Sequence, residues 1–360
     1  MKQVKLFENN GRCYFYKKNR RDYEPISDIA LNEQAKAVLE RFYHDRHKYK
    51  IPKRLIDKWD KVALFSSTGN VQKASALYIV DEETTFEVGN KLNDLTSKEW
   101  LSETVTVFTQ KGLGAGSKDA QIERLHPAPF SFQDVAKLIR YFTKEGGKVL
   151  DPFVGVGSTL KACAFEGREG YGIELNPKYH SLIQERINIE VPFDLPYKNL
   201  QHAINADCRD AIDSFDDEMF DFIITSPPYW NILETVDHKV KQNRVEFDLD
   251  IKYSTDEKDL GNIEGYEEFL EILSDIFDRS ARILKSRKYL CVIVSDFRKK
   301  EKYHLFHADI ARAIENKGNF ALKGIRILHQ KFKSIYPYGY PFSFVPNVHH
   351  QNVLIFQKIK

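Results

Sequence analysis

From about residue 125 to its end, the sequence alternates short apolar segments with longer amphipathic ones. The apolar segments predict strands, and the segments with apolar residues every three or four positions predict helices. Predicted strands cover 148–151, 169–174, 201–207, 220–225, 288–296, 324–331 and 351–358, and predicted helices cover 132–142, 158–166, 179–189, 266–284 and 307–316. This alternation indicates an α/β fold with a doubly wound, mostly parallel sheet that binds ligands at the carboxyl ends of its strands. The last two strands follow each other without a helix, so we expect an antiparallel pair.

A glycine-containing segment, Asp151 to Thr159 (DPFVGVGST), follows the first of these strands and opens a helix. Gly155 and Gly157 allow a tight turn and the close approach of a ligand. The third glycine of the dinucleotide fingerprint and the lysine of a phosphate loop are both absent, which argues against those two kinds of site. Three acids end successive strands, Asp151 the first and Glu174 and Asp207 the next two, and buried carboxylates there need partners, which a nucleoside ligand would offer. We expect a nucleoside, with Glu174 on the ribose hydroxyls and Asp207 on an adenine amino group; for the loop alone, an empty glycine turn is the alternative.

The segment TSPPYW, Thr225 to Trp230, follows the apolar strand FDFIIT. Its two prolines fix the backbone and remove two N–H donors, which makes a rigid loop whose carbonyls lack local partners. In one interpretation, the Ser226 hydroxyl and the Pro227 carbonyl accept hydrogen bonds from the amino group of a base, and Tyr229 stacks on that base. Positioning and electrostatic stabilisation would then suffice for methyl transfer, without a strong general base. The alternative is a Pro-Pro turn that merely closes a strand.

Together these segments resemble the amino-methyltransferases of DNA modification, in the N4-cytosine/N6-adenine group. DPFVGVGST is similar to that family's S-adenosylmethionine loop, GIELNPKY to its ribose-binding strand, and TSPPYW to its catalytic motif. HPAPFSFQDVAKLI, at 126–139, resembles the segment that closes over the methionine end of the cofactor, and DLGNIEGYEEFL, YLCVIVSDFR and NVHHQNVLIFQK resemble later motifs. The resemblance covers about 125–360 and implies a seven-stranded methyltransferase sheet with an antiparallel last hairpin.

This resemblance implies that S-adenosyl-L-methionine is the cofactor and double-stranded DNA the substrate. The implied catalytic residues are Ser226, Pro227, Pro228 and Tyr229, and the implied cofactor-binding residues are His126, Pro127, Phe130, Asp151, Pro152, Phe153, Gly155, Gly157, Ser158, Thr159, Glu174, Asp207 and Ser226. A serine before PPY most often goes with N4 of cytosine, whereas aspartate or asparagine usually marks N6 of adenine. The expected activity is therefore that of a site-specific cytosine-N4 DNA methyltransferase in a restriction-modification or related system.

Three alternatives stay open at this point. An N6-adenine DNA methyltransferase would share the same motifs. An RNA base methyltransferase can share the fold and a PPY-type loop, although the serine and the long insert after it favour DNA. A catalytically silent DNA-binding module would bind the cofactor without transferring its methyl group. The order of the motifs also matters, because in many relatives TSPPYW-like segments precede the cofactor segments, and here they follow them.

Charge is distributed unevenly along the chain, although the formal net charge is only +2. Residues 1–80 carry 17 Lys and Arg against 9 Asp and Glu, and residues 281–340 carry 14 against 4, which leaves the middle of the chain acidic. Basic surfaces of this kind suit a polyanion. We expect residues 1–120 to be an accessory region with a role in DNA recognition and residues 121–360 to be the catalytic domain. Residues 231–265 and 297–340 are two further candidates for DNA contacts.

Several classes of protein are not favoured by the sequence. No run of about 18 apolar residues occurs, so no membrane span is expected, and the amino terminus lacks the apolar core of a signal peptide. The four cysteines are scattered, which favours a reduced cytoplasm. The resemblance to DNA-modification enzymes implies a prokaryotic or phage protein of the cytosol. His349 and His350 have no carboxylate or cysteine at ligand spacing, so no metal is expected. A cognate restriction endonuclease is a candidate partner.

Overall fold

The computed structural model describes the strands within residues 1–89 by their backbone, together with residues 90, 92–95, 97–111, 122–123, 131–230, 258–299, 301–331 and 333–359. By their contacts the residues divide into two compact units, Met1–Thr104 and Val105–Lys360. Each unit is described below by itself.

The first unit contains two small antiparallel sheets. Three strands form one sheet in the order β1 (Lys5–Asn9), β2 (Arg12–Tyr16) and β3 (Tyr23–Pro25), and three form the other in the order β4 (Ala63–Ser66), β5 (Ala76–Val80) and β6 (Thr85–Gly89). A short helix, α1 (Ser97–Glu103), follows. None of these strands is among those predicted from the sequence.

The second unit holds the alternating elements. Its strands are β7 (Val107–Thr109), β8 (Lys148–Asp151), β9 (Glu169–Glu174), β10 (Gln201–Asn205), β11 (Phe220–Thr225), β12 (Leu284–Val294), β13 (Phe297–Lys299), β14 (Lys302–His304), β15 (Phe320–His329) and β16 (His350–Lys358). Its helices are α2 (Phe132–Phe142), α3 (Ser158–Glu166), α4 (Pro177–Glu190), α5 (Cys208–Ser214), α6 (Tyr266–Ile283) and α7 (Phe306–Lys317). The bounds of α2 and α3 are those that the sequence predicts, whereas α5 and the β13–β14 hairpin were not predicted.

Eight strands form the central sheet, in the order β10-β9-β8-β11-β12-β16-β15-β7. Strands β8 to β12 run parallel, and β16 lies between β12 and β15 and is antiparallel to both. The predicted α/β class, the mostly parallel sheet and the antiparallel last hairpin are therefore confirmed. A short eighth strand, β7, pairs parallel with β15 at the edge, so a segment from the region expected to be accessory joins the main sheet.

Helices cover the sheet on both faces, as the side chains of β11 illustrate. Phe222 stacks on Phe142 of α2, with 5.1 Å between ring centroids. The next residue, Ile223, belongs instead to the apolar cluster that contains Phe277 of α6. Successive residues of a strand point to opposite faces, so the sheet is doubly wound with α2 on one side and α6 on the other. Among the described helices, none is both long and apolar enough to cross a membrane.

Local sequence fixes where the helices beside the site begin. The Asn176 side chain accepts a hydrogen bond from the Lys178 N–H and caps α4, whose first residue is a proline. Asp207 caps α5 in the same way. Such caps satisfy N–H groups that the first turn of a helix leaves without partners. Both helices therefore start directly after strand ends, at the edge where the parallel strands finish.

Candidate active site

Parallel strands β8, β9, β10 and β11 all finish at one edge of the sheet, and a cleft lies there. Predicted site residues on its wall are Pro152, Phe153, Gly155, Glu174, Asp207, Ser226, Pro227, Pro228 and Tyr229. The remaining lining residues are Ile173, Leu175, Asn176, Tyr179, Ala206, Cys208, Arg209, Lys258, Asp259 and Leu260. The glycine segment and TSPPYW thus share one cleft, although 65 residues of sequence separate Thr159 and Thr225.

The glycine segment makes the tight turn that its sequence predicts. Gly155 and Gly157 have φ angles of 55° and 84°, in the left-handed region that favours glycine. A Cβ at Gly157 would lie 2.9 Å from Cγ2 of Ile183, because α4 packs closely behind the turn. The Val154 N–H donates to the carbonyl of Ile173 at 3.0 Å, which anchors the turn to β9. The backbone of the glycine segment is thereby held at the wall of the cleft.

The carboxylate of Asp151 lies behind the glycine segment, fully buried, and is not part of the cleft wall. One oxygen accepts hydrogen bonds from the Thr225 hydroxyl at 2.6 Å and the Phe153 N–H at 3.0 Å, and the other accepts from the Thr159 hydroxyl at 2.5 Å. Burial raises the pKa of Asp151 to about 6, against the opposing effect of these bonds. Asp151 therefore connects β8, α3 and β11 through its own hydrogen bonds.

A buried ionic network supports the glycine segment from behind, and the sequence analysis does not identify it. The Arg186 guanidinium is fully buried and donates to the Ser158 hydroxyl at 2.9 Å and to the Val156 carbonyl at 3.2 Å. It also donates to Glu190 and Glu123, each at 2.9 Å. Ser158 and Thr159, expected at the cofactor, are thus held by Arg186 and Asp151 and do not line the cleft.

Lys161 completes this network from α3. Its ammonium group donates to Glu190 at 2.8 Å and lies 4.2 Å from the ring centroid of Phe132. Buried ion pairs are costly to break, since removing one partner leaves an uncompensated charge. In sequence these residues are indistinguishable from polar residues on a solvated helix face, so periodicity alone gives no signal for them.

Glu174 faces the cleft from the end of β9. One of its oxygens accepts the Asn176 N–H at 2.8 Å. Burial raises the pKa of Glu174 to about 7, the N–H groups of Asn176 and Gly155 oppose this, and the charge of Asp259 raises it further. A partly buried carboxylate between apolar walls such as Ile173 and Leu260 is suited to accept hydrogen bonds from hydroxyl groups of a ligand.

Asp207 also reaches the cleft, but Arg209 holds its carboxylate. Both carboxylate oxygens accept from the guanidinium, at 3.0 and 2.6 Å, and one accepts from the Arg209 N–H at 2.9 Å. Burial alone would raise the pKa of Asp207, yet the hydrogen bonds and charge of Arg209 lower it below its ordinary value. Arg209 also donates to the carbonyl of Lys258 at 3.0 Å, which joins α5 to the segment before α6.

Tyr229 and Trp230, the two residues after TSPP, fix the TSPPYW loop (Thr225–Trp230) to the rest of the domain. The Tyr229 hydroxyl accepts the Ser295 N–H at 2.9 Å, at the end of β12. Trp230 is buried, donates from its indole nitrogen to the Glu264 carbonyl at 3.2 Å, and has the Lys299 ammonium 3.4 Å from a ring centroid. Within the described residues, the Ser226 hydroxyl makes no hydrogen bond. It is therefore available to a ligand in the cleft.

Asp259 and Leu260 are site residues that the sequence reasoning missed. Asp259 is buried and accepts the Gly261 N–H at 2.9 Å, which caps a short 3-10 helix over Leu260–Asn262. The sequence signal that could have identified them is the segment DLGNIEG, in which an aspartate that can cap a helix precedes a tight turn. Three predicted cofactor residues, His126, Pro127 and Phe130, lie outside the described residues, as does most of the insert after Trp230. The described part of the chain contains no cluster of His, Cys, Asp and Glu that would hold a metal ion.

Comparison with known proteins identifies related sequences. A family model described as DNA methylase, of the N6/N4 type, matches residues 4–185, which include the glycine segment and Glu174 but end before TSPPYW. A type II methyltransferase of Methanothermobacter thermautotrophicus, M.MthZI, is 34% identical over 90 residues, or 25% of this chain and 24% of that protein. M.SmaI, a type II methyltransferase of Serratia marcescens, is 56% identical over 45 residues, or 12% of this chain and 15% of that protein. The aligned part thus spans about a quarter or less of these relatives.

Solved structures give a more distant likeness. A DNA modification methylase of Thermus thermophilus, in complex with S-adenosyl-L-methionine, is 24% identical, with a TM-score of 0.29 over 42% of this chain and 53% of that one.

Proposed function

This chain belongs to the N6/N4 family of DNA methylases, and we propose that its reaction is the transfer of a methyl group to the exocyclic N4 of cytosine. The methyl donor is S-adenosyl-L-methionine. The observation that carries the cytosine proposal is the serine before the two prolines, which in the family that TSPPYW resembles most often goes with cytosine N4. The Ser226 hydroxyl makes no hydrogen bond within the described residues and shares a cleft with Glu174. Adenine N6 is the second candidate, because family membership alone covers both bases.

The cleft has the chemistry that a nucleoside-containing cofactor needs. Glu174 would accept hydrogen bonds from the ribose hydroxyls, and the apolar side chains of Ile173, Leu175 and Leu260 would cover the faces of the adenine. When bound, the cofactor supplies a methyl group made electrophilic by its positively charged sulfur. Phe153 and Gly155 line the same wall and leave room for close approach of backbone to ligand.

The catalytic loop would supply acceptors for the target amino group. In the proposed complex the Ser226 hydroxyl and the Pro227 carbonyl accept its two N–H bonds, which turns the nitrogen lone pair towards the methyl carbon. The amino nitrogen would attack the methyl group that the bound cofactor supplies, and the proton that the nitrogen loses would pass to solvent. Fixed acceptors of this kind act by positioning and by preorganised electrostatics. The Tyr229 ring, anchored through its hydroxyl to Ser295, lies where it can stack on the base.

Access to the base requires that it leave the duplex, since the amino group inside a base pair cannot reach the cleft. We propose that the unit Val105–Lys360, which includes β7, is the catalytic domain and that the preceding residues form an accessory region. M.MthZI and M.SmaI are type II methyltransferases. By that likeness we place the chain in a restriction-modification system, where its partner would be a nuclease of the same sequence specificity.

Transfer of a labelled methyl group tests the proposal. The purified chain is incubated with tritiated S-adenosyl-L-methionine and either unmethylated bacterial DNA or total RNA, and label in DNA is the expected result. Label confined to RNA, or in neither polymer, would contradict it. Ser226→Ala should lower kcat by about 100-fold, the size of effect seen when one preorganised hydrogen-bonding group is removed, while cofactor affinity stays unchanged. Ser181→Ala, an exposed serine on α4, is the matched control and should leave kcat intact.

A further inference from the structure

The segment between β15 and β16, residues 330–349, presents large apolar side chains to solvent. The exposed fraction is 94% for Phe342, 86% for Phe344, 81% for Tyr340 and 76% for Ile335. Apolar groups of this size are normally covered, and contiguous exposed patches mark interaction sites. We call residues 330–349 the aromatic loop.

The aromatic loop is held in shape by its own hydrogen bonds. The Asn347 side chain accepts the Tyr336 N–H at 3.0 Å and donates to the Tyr336 carbonyl at 2.8 Å. The Phe342 N–H donates to the carbonyl of Gly339 at 2.7 Å, and Gly339 has a φ of 75° where a Cβ would collide with the Ser343 carbonyl. These bonds fix the turn that carries Tyr340 and Phe342, so the rings face outward from a built structure.

The roots of the aromatic loop lie beside the catalytic loop. Asn352 of β16 pairs with Val294, the last residue of β12, at the same sheet edge as the cleft. There the Ser295 hydroxyl donates to the His350 carbonyl at 3.2 Å. The N–H of that same Ser295 donates to the Tyr229 hydroxyl at 2.9 Å. One residue therefore connects the base of the aromatic loop to the catalytic tyrosine.

Charge makes this part of the chain suitable for a polyanion. Residues 330–349 contain Lys331 and Lys333 and no Asp or Glu. Aromatic rings interspersed with cations are the arrangement that proteins use to bind unstacked bases, each ring adding stacking energy and each cation a phosphate contact.

We propose that the aromatic loop is the surface that receives DNA at the target base pair, with Phe342 and Phe344 stacking on bases that flipping leaves without neighbours. The proposal rests on the DNA methyltransferase function stated above. It selects this segment among the basic regions at both ends of the chain, because only here do exposed rings, positive charge and a direct connection to Tyr229 coincide among the described residues. Tyr340 supplies a further ring on the same turn.

The test compares two variants in methyl transfer to a duplex that carries the sequence methylated by the wild-type protein. The double variant Phe342→Ala/Phe344→Ala should raise the KM for DNA at least tenfold, since a base stacked on an aromatic ring accounts for about 1–3 kcal/mol and each 1.4 kcal/mol is tenfold. Cofactor affinity should stay within twofold of wild type. The matched control is Phe193→Ala, which removes a phenylalanine that is 91% exposed in the connection from α4 to β10, at the opposite edge of the sheet.

A duplex with a mismatch at the target base pair distinguishes stacking of the rings on an opened duplex from general electrostatic attraction to DNA. A mismatched base opens at a lower cost, so the mismatch should reverse much of the increase in KM that the double variant shows on the matched duplex. The proposal is overturned if the double variant has the same KM for DNA as Phe193→Ala, if cofactor affinity falls in parallel, or if the mismatch gives no relief. If the wild-type protein methylates no DNA at all, the proposed function itself is wrong. A defect confined to the double variant is therefore distinguishable from a failure of the proposed function.

Discussion

Asp151 at the end of β8 accepts a hydrogen bond of 2.6 Å from the hydroxyl of Thr225, the residue that ends β11 and begins TSPPYW. The same carboxylate accepts from Thr159 at 2.5 Å, one residue into α3. The glycine segment and the catalytic loop are thereby fixed to one another by a single buried group. The distance between bound cofactor and target base depends on this connection, because displacements of about 1 Å at a reacting centre can cost 100-fold in rate.

Replacing Asp151 by Asn should change how stability depends on pH. Burial raises the pKa of Asp151 from 3.8 unfolded to about 6 folded, so its contribution to stability is fully present below pH 3.8 and is lost as pH rises through 6. The unfolding free energy of the wild type relative to Asp151→Asn should therefore fall by about 3 kcal/mol between pH 3.5 and 7, since one pKa unit corresponds to about 1.4 kcal/mol. Denaturant titrations across this range measure it. A difference that is constant with pH would show that Asp151 titrates normally.

Cofactor binding should weaken in acid because of Glu174. Burial raises the pKa of this carboxyl to about 7, and only the ionised form accepts hydrogen bonds with both oxygens. The affinity should fall as pH drops through 7, by up to about tenfold per pH unit, as expected for loss of one required ionisation. Glu174→Gln should bind weakly with a flat profile. Calorimetric titration with S-adenosyl-L-homocysteine provides the measurement, and a wild-type profile that is also flat between pH 5.5 and 8 would remove Glu174 from the site.

Tyr229→Ala should lose at least 100-fold in kcat while cofactor affinity stays within about threefold, because the ring is assigned to the base. Tyr229→Phe keeps the ring but loses the hydrogen bond from Ser295, so we expect an intermediate kcat. Single-turnover rates and equilibrium cofactor binding separate the two effects. Equal losses of cofactor binding in Tyr229→Ala and Glu174→Gln would contradict this division of roles.

Arg186→Met should lower the free energy of unfolding by about 3–5 kcal/mol, because it leaves Glu123 without its buried cation and Glu190 with Lys161 alone. Lys317→Met is the control: its ion pairs with Glu271 and Asp275 lie at the surface, where a pair contributes about 1 kcal/mol or less. Chemical denaturation of both variants measures the contrast. If Arg186→Met costs no more than Lys317→Met, the network does not support the glycine segment.

The sequence predicts the architecture well because apolar periodicity is a local signal. Strand β11 and helices α2 and α3 have the predicted bounds. Because parallel strands end at one edge of the sheet, acids at or just after their ends lie there together. Glu174 and Asp207 could therefore be assigned to one cleft from the sequence.

Partners across the fold could not be predicted in the same way. Asp151 looks like a ligand-binding acid until Thr225, 74 residues away, is seen to satisfy it. Arg209 holds Asp207 through a local contact that periodicity does not report. Arg186 and Lys161 are charged residues within helical patterns, and their burial follows only from the packing of α4 on the glycine segment. Side-chain pairing over long sequence separations is therefore what the structure adds.

Mass spectrometry of nucleosides tests the central claim most directly. DNA from a strain without endogenous methylation is incubated with the purified chain and S-adenosyl-L-methionine, digested to nucleosides and analysed for methylated bases. The account predicts N4-methyldeoxycytidine, formed about 100-fold more slowly in a parallel reaction with Ser226→Ala. N6-methyldeoxyadenosine as the sole product would contradict the assignment of Ser226 to cytosine, and the absence of any methylated nucleoside would contradict the catalytic role of the cleft.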